Sequence, residues 1–185
     1  MWIAYCYFHL AEYDQALKIY EQLFNDDEKS SNKKKKSTTS DEKLQLNTYI
    51  IVCRFFLGEY QESDKLLKKL SPTANAQLSG LQRRLGLHLS HRLGQENQLL
   101  LEHKNLHDIL ADQLSLASIH YLRAHHQEAI DIYKKCLLEK RELGALSVYL
   151  AFCYYKLDYY DVSQEVLSSY LSQCENDSLV AVNLR

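Results

Sequence analysis

The sequence predicts an all-helical chain of stacked helix pairs, and three observations carry that prediction. Glycine and proline are scarce, at 5 and 1 in 185 residues, which favours long helices over an all-β fold. Leu78, Leu81, Leu85 and Leu89 recur at three- and four-residue steps, the spacing of one helix face. One pattern also occurs twice at an offset of 34 positions. Gln113, Leu116, Ala117, His120, Ala129, Tyr133 and Cys136 fall on Ser147, Leu150, Ala151, Tyr154, Ser163, Leu167 and Tyr170. A 34-residue period with small residues at the eighth and twentieth places is the pattern of the tetratricopeptide repeat, a helix–turn–helix unit. Where two helices approach closely, only a small side chain fits between the backbones. The expected architecture is an α-solenoid of these hairpins coiled into a right-handed superhelix.

In chain order, residues 1–24 read as a repeat lacking its beginning, with its turn at Leu10-Ala11-Glu12-Tyr13. Residues 25–43 (NDDEKSSNKKKKSTTSDEK) contain no apolar side chain and are expected to form a flexible, lysine-rich insertion. Lys33 to Lys36 suit a solvating run or, alternatively, a nuclear-import or acidic-surface patch. A repeat follows at 44–72, turning at Leu57-Gly58 and closed by Ser71-Pro72. Residues 73–107 keep helical periodicity without the repeat pattern, a degenerate hairpin with a turn at Leu93-Gly94 and a second helix from Leu99 to Leu106. Repeats at 108–141 and 142–176 complete the series, and 177–185 reads as the start of a further, truncated one. Both ends thus cut through repeats, as in a fragment of a longer protein. The packing positions expected at the close helix contacts are Ala4, Ala16, Ile51, Ser63, Ala117, Ala129, Ala151 and Ser163.

A net charge of −2 provides no basic face for nucleic acid, and no run is long and apolar enough to insert in a membrane. Five dispersed cysteines without a C-x-x-C pair read as reduced core thiols of a soluble, intracellular protein.

The wording within the repeats is more specific than the period. DQLSLASIHY (112–121), HQEAIDIYK (126–134) and CYYKLDYYDVSQEVL (153–167) resemble the corresponding segments of the intraflagellar transport protein 56 family, also called tetratricopeptide repeat protein 26. LGEYQES (57–63) and the HLSHRLG…LLLEHKNLHDIL stretch (88–110) fit that family in order and spacing, whereas the lysine-rich insertion departs from it. The resemblance implies a non-enzymatic scaffold subunit of intraflagellar transport complex B, supporting anterograde transport of motility-related cargo and cilium assembly. It also implies other complex B subunits and ciliary cargo proteins as partners. Its implied location is the cilium or flagellum and the ciliary base, with a cytoplasmic pool. A generic tetratricopeptide scaffold in another multisubunit complex is the alternative. A metal-binding or catalytic helical protein is the reading from another class.

Counting in register turns Tyr5, Phe8, Phe55, Phe56, Tyr121, Leu122, Phe152 and Tyr155 toward a concave inner surface, a candidate partner groove. Burial against neighbouring helices is the competing role for each. Chaperone-tail binders of similar build grip a carboxylate with Lys and Asn. Leu114, Ser118, Val148 and Phe152 occupy the equivalent places, so this groove is apolar. His103/His107 and His88/His91 have the spacing of helix-face pairs but no third or fourth ligand nearby, so no metal site is assigned. His120 and His126 read as packed imidazoles. Gly58, Gly80, Gly86, Gly94 and Gly144 are isolated, and no phosphate loop, nucleophile elbow or dinucleotide motif is present, so neither catalytic residue nor cofactor is assigned. Asp158 and Asp161 flank a turn and are expected to cap the following helix. Ala129→Trp is expected to unstack its hairpin by overpacking, at a cost of about 1–3 kcal/mol or more in urea unfolding.

Overall fold

A computed structural model describes residues 1–31, 40–70, 75–140 and 143–173. The described residues form ten helices and no strand: α1 (Trp2–His9), α2 (Tyr13–Ser31), α3 (Ser40–Phe56), α4 (Tyr60–Lys68), α5 (Ala76–Arg92), α6 (Glu96–Asn105), α7 (Leu110–Leu122), α8 (His126–Glu139), α9 (Leu146–Lys156) and α10 (Tyr160–Gln173). They fall into two compact units, Met1–Asn105 with α1–α6 and Leu106–Arg185 with α7–α10. Each odd-numbered helix pairs with its successor, and in each unit an even-numbered helix packs on the next odd one.

All five hairpin turns are built alike. The second residue beyond the first helix adopts a left-handed conformation: Ala11 (φ 60°), Gly58 (84°), Gly94 (66°), Ala124 (60°) and Asp158 (64°). The next residue's N–H reaches back to a carbonyl five places earlier: Glu12 to Tyr7, Glu59 to Arg54, Gln95 to Ser90, His125 to His120 and Tyr159 to Tyr154, at 2.9–3.0 Å. A second bond from the left-handed residue to the carbonyl three places back completes a Schellman cap at 3.1–3.2 Å. Orphan carbonyls at the end of the first helix are thereby satisfied within a three-residue connection.

These turns supply a common register. Seven places before and five places after each left-handed residue stand Ala4 and Ala16, Ile51 and Ser63, Leu87 and Leu99, Ala117 and Ala129, Ala151 and Ser163. All ten are buried. The Ser63 hydroxyl donates to the Ile51 carbonyl at 3.4 Å and the Ser163 hydroxyl to Ala151 at 2.9 Å, so the second helix lies against the backbone of the first.

The register also explains the cores. In the first unit Ala4, Ala16, Tyr20, Leu46, Ile50 and Cys53 form one buried cluster. Ala117, Ala129, Tyr133, Leu146, Leu150 and Cys153 form its place-for-place counterpart in the second. Between the second and third hairpins the match is partial: Ile51, Leu85 and Leu89 form the buried cluster, with Leu67, Phe55 and Tyr60 packed against it.

Several details depart from expectation. Helix α2 continues through 25–31 and α3 opens at 40, so both ends of the supposed loop are helical. Only the middle of that stretch, with Lys33 to Lys36, lies outside the described residues, as do Ser71-Pro72 and 177–185. The second helix of the third hairpin starts at Glu96, earlier than the leucine run suggested. Cys53, Cys136 and Cys153 are buried thiols, whereas Cys6 is exposed because the outer side of α1 is open; Cys174 is not described. Asp158 does not play the expected capping role. It is the left-handed turn residue itself, and its carboxylate accepts a hydrogen bond from the Tyr160 hydroxyl at 2.7 Å.

Holding alanine in the left-handed region costs about 1–2 kcal/mol, partly offset because glycine is freer when unfolded. Ala124→Gly is therefore expected to stabilise the chain by about 0.5–1 kcal/mol, a thermal-midpoint rise of about 1–4 °C. Gly58→Ala should lower it by a similar amount through backbone strain alone, since a Cβ there would meet nothing within 4 Å. Calorimetry of both variants checks the pair.

Candidate interaction site

Aromatic side chains hold the turns and the hairpin-to-hairpin contacts. The ring three places before the left-handed residue meets the ring two places after it: Phe8–Tyr13 at 5.3 Å, Phe55–Tyr60 at 5.4 Å, Tyr121–His126 at 5.3 Å and Tyr155–Tyr160 at 5.2 Å. Such tilted pairs contribute about 0.5–1.5 kcal/mol beyond their buried area. A second recurring contact joins consecutive hairpins. Tyr20 of α2 meets Tyr49 of α3 at 5.5 Å, and Tyr133 of α8 meets Tyr149 of α9 at 5.9 Å. Burial, helped by the neighbouring thiol Cys53 and Tyr49, pushes the Tyr20 phenol up to about 12. Burial with Cys153 and Tyr149 raises Tyr133 as well. A third contact changes its chemistry between units. Glu21 of α2 pairs with Arg54 of α3 at 2.6 Å, while the same places in α8 and α9 set Lys134 over the Tyr154 ring at 5.4 Å.

The candidate groove residues separate into two sets. In the first unit Phe8 and Phe55 are half-buried, and Tyr5 and Phe56 are half-exposed. Phe56 bridges α1 and α2, lying 5.4 Å from Phe8 and stacked on Tyr13 at 4.8 Å. In the second unit Tyr121, Leu122 and Phe152 line one cleft of about 360 Å³ with Ser118, Tyr133 and Tyr149. Tyr155 is not among its lining residues and pairs instead with Tyr160. Tyr149 is a wall of the cleft that counting along single helices missed, because its partner Tyr133 belongs to the preceding hairpin. The cleft offers aromatic faces and hydroxyls, and the Ser118 hydroxyl is already committed to the Ser115 carbonyl at 2.7 Å. Such a surface can take apolar side chains from a partner segment.

The sequence profile described as intraflagellar transport protein 56 matches residues 1–185. The chain belongs to the intraflagellar transport protein 56 family. The Caenorhabditis elegans intraflagellar transport protein 56 homolog is 34% identical over 176 residues, covering 95% of this chain. The chain spans 27% of that relative's length. Among solved structures, the crystal structure of a Podosopora anserina kinesin light chain variant with nearly identical TPR-like repeats superposes with a TM-score of 0.64. That match covers 95% of this chain and 93% of the other, and at 15% identity it establishes a TPR-like fold.

The histidine pairs of this family member fare differently. His103 lies within α6, but that helix ends at Asn105, so His107 does not share its face. Instead the His107 backbone N–H donates at 3.0 Å to the buried carboxylate of Asp112, tying the approach to α7. Among the described residues no three His, Cys, Asp or Glu side chains gather as a metal site. His120 and His126 are half-buried rings, against His125 at 5.8 Å and Tyr121 at 5.3 Å. No helix of the described residues is long and apolar enough to cross a membrane.

His88 lies on α5 near Phe55, at 6.3 Å, and its pKa falls to about 4 through burial first, then the nearby His91, Arg92 and Arg84 charges. The folded state keeps this imidazole neutral, while an unfolded chain takes up a proton near 6.5. Stability therefore falls as pH drops from 6.5 toward 4, with about 2 kcal/mol lost by pH 5. His88→Leu should flatten that slope, read by urea unfolding at pH 7 and pH 5.

Proposed function

We propose that this chain acts as a non-enzymatic scaffold within intraflagellar transport complex B. It supports anterograde transport of motility-related ciliary cargo and cilium assembly. The reading places it at the cilium or flagellum and the ciliary base, with a cytoplasmic pool. Its partners are other complex B subunits and ciliary cargo proteins, docked through apolar faces that include the groove residues Tyr5, Phe8, Phe55, Phe56, Tyr121, Leu122, Phe152 and Tyr155. The observation that carries this reading is the apolar cleft of Tyr121, Leu122, Tyr149 and Phe152 on a TPR-like scaffold in a member of the intraflagellar transport protein 56 family.

The half-exposed Leu122 and Phe152 allow substitution without opening a core. Tagged wild-type chain is expected to recover complex B subunits from ciliated cells. The Leu122→Asp/Phe152→Glu double variant should lose them by about tenfold or more while retaining its circular dichroism. Undiminished recovery would remove the cleft from the docking surface. Recovery of a different assembly by the wild-type chain would overturn the ciliary assignment.

A further inference from the structure

The cleft of the second unit has a counterpart in the first, and the pair indicates what the cleft takes. Counted from the left-handed turn residues, Ser118, Tyr133 and Tyr149 stand where Tyr5, Tyr20 and Tyr49 stand. At both junctions a buried tyrosine meets the tyrosine of the next hairpin, at 5.5 Å and 5.9 Å. The decisive difference is at the first place. In the first unit it holds the phenol of Tyr5, near enough to add to the rise of the Tyr20 pKa. In the second it holds only the hydroxymethyl of Ser118, and a space of about 360 Å³ remains, walled by α7, α8 and α9. Ligand pockets run from about 300 to 1,000 Å³, so this one suits a single ring and not a helix.

The polar groups of the cleft suit a hydroxyl. Tyr133 is 5% exposed, and its own hydroxyl makes no hydrogen bond among the described residues. A buried tyrosine hydroxyl ordinarily finds a partner. Burial first, then Cys153 and Tyr149, raise its pKa, so it stays protonated and able to donate. The Ser118 hydroxyl gives its hydrogen to the Ser115 carbonyl and keeps lone pairs for an incoming donor. We infer that the cleft is a socket for one phenolic side chain, a tyrosine of the docked partner segment. Its ring enters beside Tyr121, Tyr149 and Phe152, and its hydroxyl accepts from Tyr133 and donates to Ser118. This inference rests on the docking role proposed above and names the anchor which that role uses.

The probe is p-cresol, the tyrosine side chain as a free molecule, and the control is toluene, which lacks the hydroxyl. With the 185-residue chain carrying carbon-13 tyrosine, saturable shifts of the Tyr133 and Tyr149 ring signals are expected at about millimolar p-cresol. Toluene should bind about threefold to tenfold more weakly, because a site that pairs a hydroxyl rejects the analogue without one. Tyr133→Phe should erase that preference and leave toluene binding unchanged, a split that a merely structural role would not produce. Ser118→Tyr, which matches the arrangement of the first unit, should exclude both probes with circular dichroism unchanged. No saturable shift at about 10 mM p-cresol, or a preference for p-cresol that is absent from the wild type or survives Tyr133→Phe, overturns the inference. In recovery from ciliated cells, Ser118→Tyr should also lose the complex B subunits. Undiminished recovery by a variant that excludes p-cresol would assign the socket to a segment of the same polypeptide and overturn the partner tyrosine. A wild-type chain that prefers p-cresol yet recovers no complex B subunit would support the socket and refute the docking role alone.

Discussion

Close approach of paired helices is the constraint on which every other contact depends. With Ala4 against Ala16 and Ala117 against Ala129, the space between backbones admits little more than a methyl group. Serine performs the same task where it stands, and its hydroxyl bonds to the facing carbonyl, which a wider separation would forbid. The third hairpin solves the problem differently. Its equivalent places hold Leu87 and Leu99, and the small residue moves one place earlier to Gly86, where a Cβ would lie 3.2 Å from the Glu102 carboxyl. Two buried leucines thus stand where the other hairpins place at least one alanine or serine, and the atom nearest Gly86 belongs to a side chain and not to the facing backbone.

Those two leucines explain why the third hairpin was legible in the sequence only as periodic helix. A template demanding small residues at fixed places rejects Leu87 and Leu99, although Leu93-Gly94 marks its turn correctly. Elsewhere the period was readable because the same steric demand acts twice per unit. The insertion misled for another reason. Asn25 to Ser31 has nothing to bury, yet Glu and Lys are good helix formers and extending an existing helix is cheap once its first turns are set. Absence of apolar residues predicts absence of a core contact, and it does not predict where a helix stops.

The cleft was legible in part. Tyr121, Leu122 and Phe152 follow from their places within single helices. Tyr149 does not, because it acts with Tyr133 across two hairpins, and the distance in sequence between such partners varies with the connection. Tyr20 and Tyr49 span a long connection, whereas Tyr133 and Tyr149 span a short one. A fixed offset finds contacts within a hairpin; contacts between hairpins appear only when each residue is counted from its own turn. Counted so, the abundance of tyrosine is orderly, serving clasps at turns and stacking between neighbours.

Cys53 and Cys153 sit at matching places in the buried clusters of Tyr20 and Tyr133, and burial pushes both thiols up to about 11. At neutral pH nearly all of each remains protonated, and the thiolate is the form that attacks peroxides, electrophiles and disulfides. The chain thus carries sulfur at two repeat junctions in a chemically quiet state, and oxidative stress would have to unseat a hairpin before reaching it.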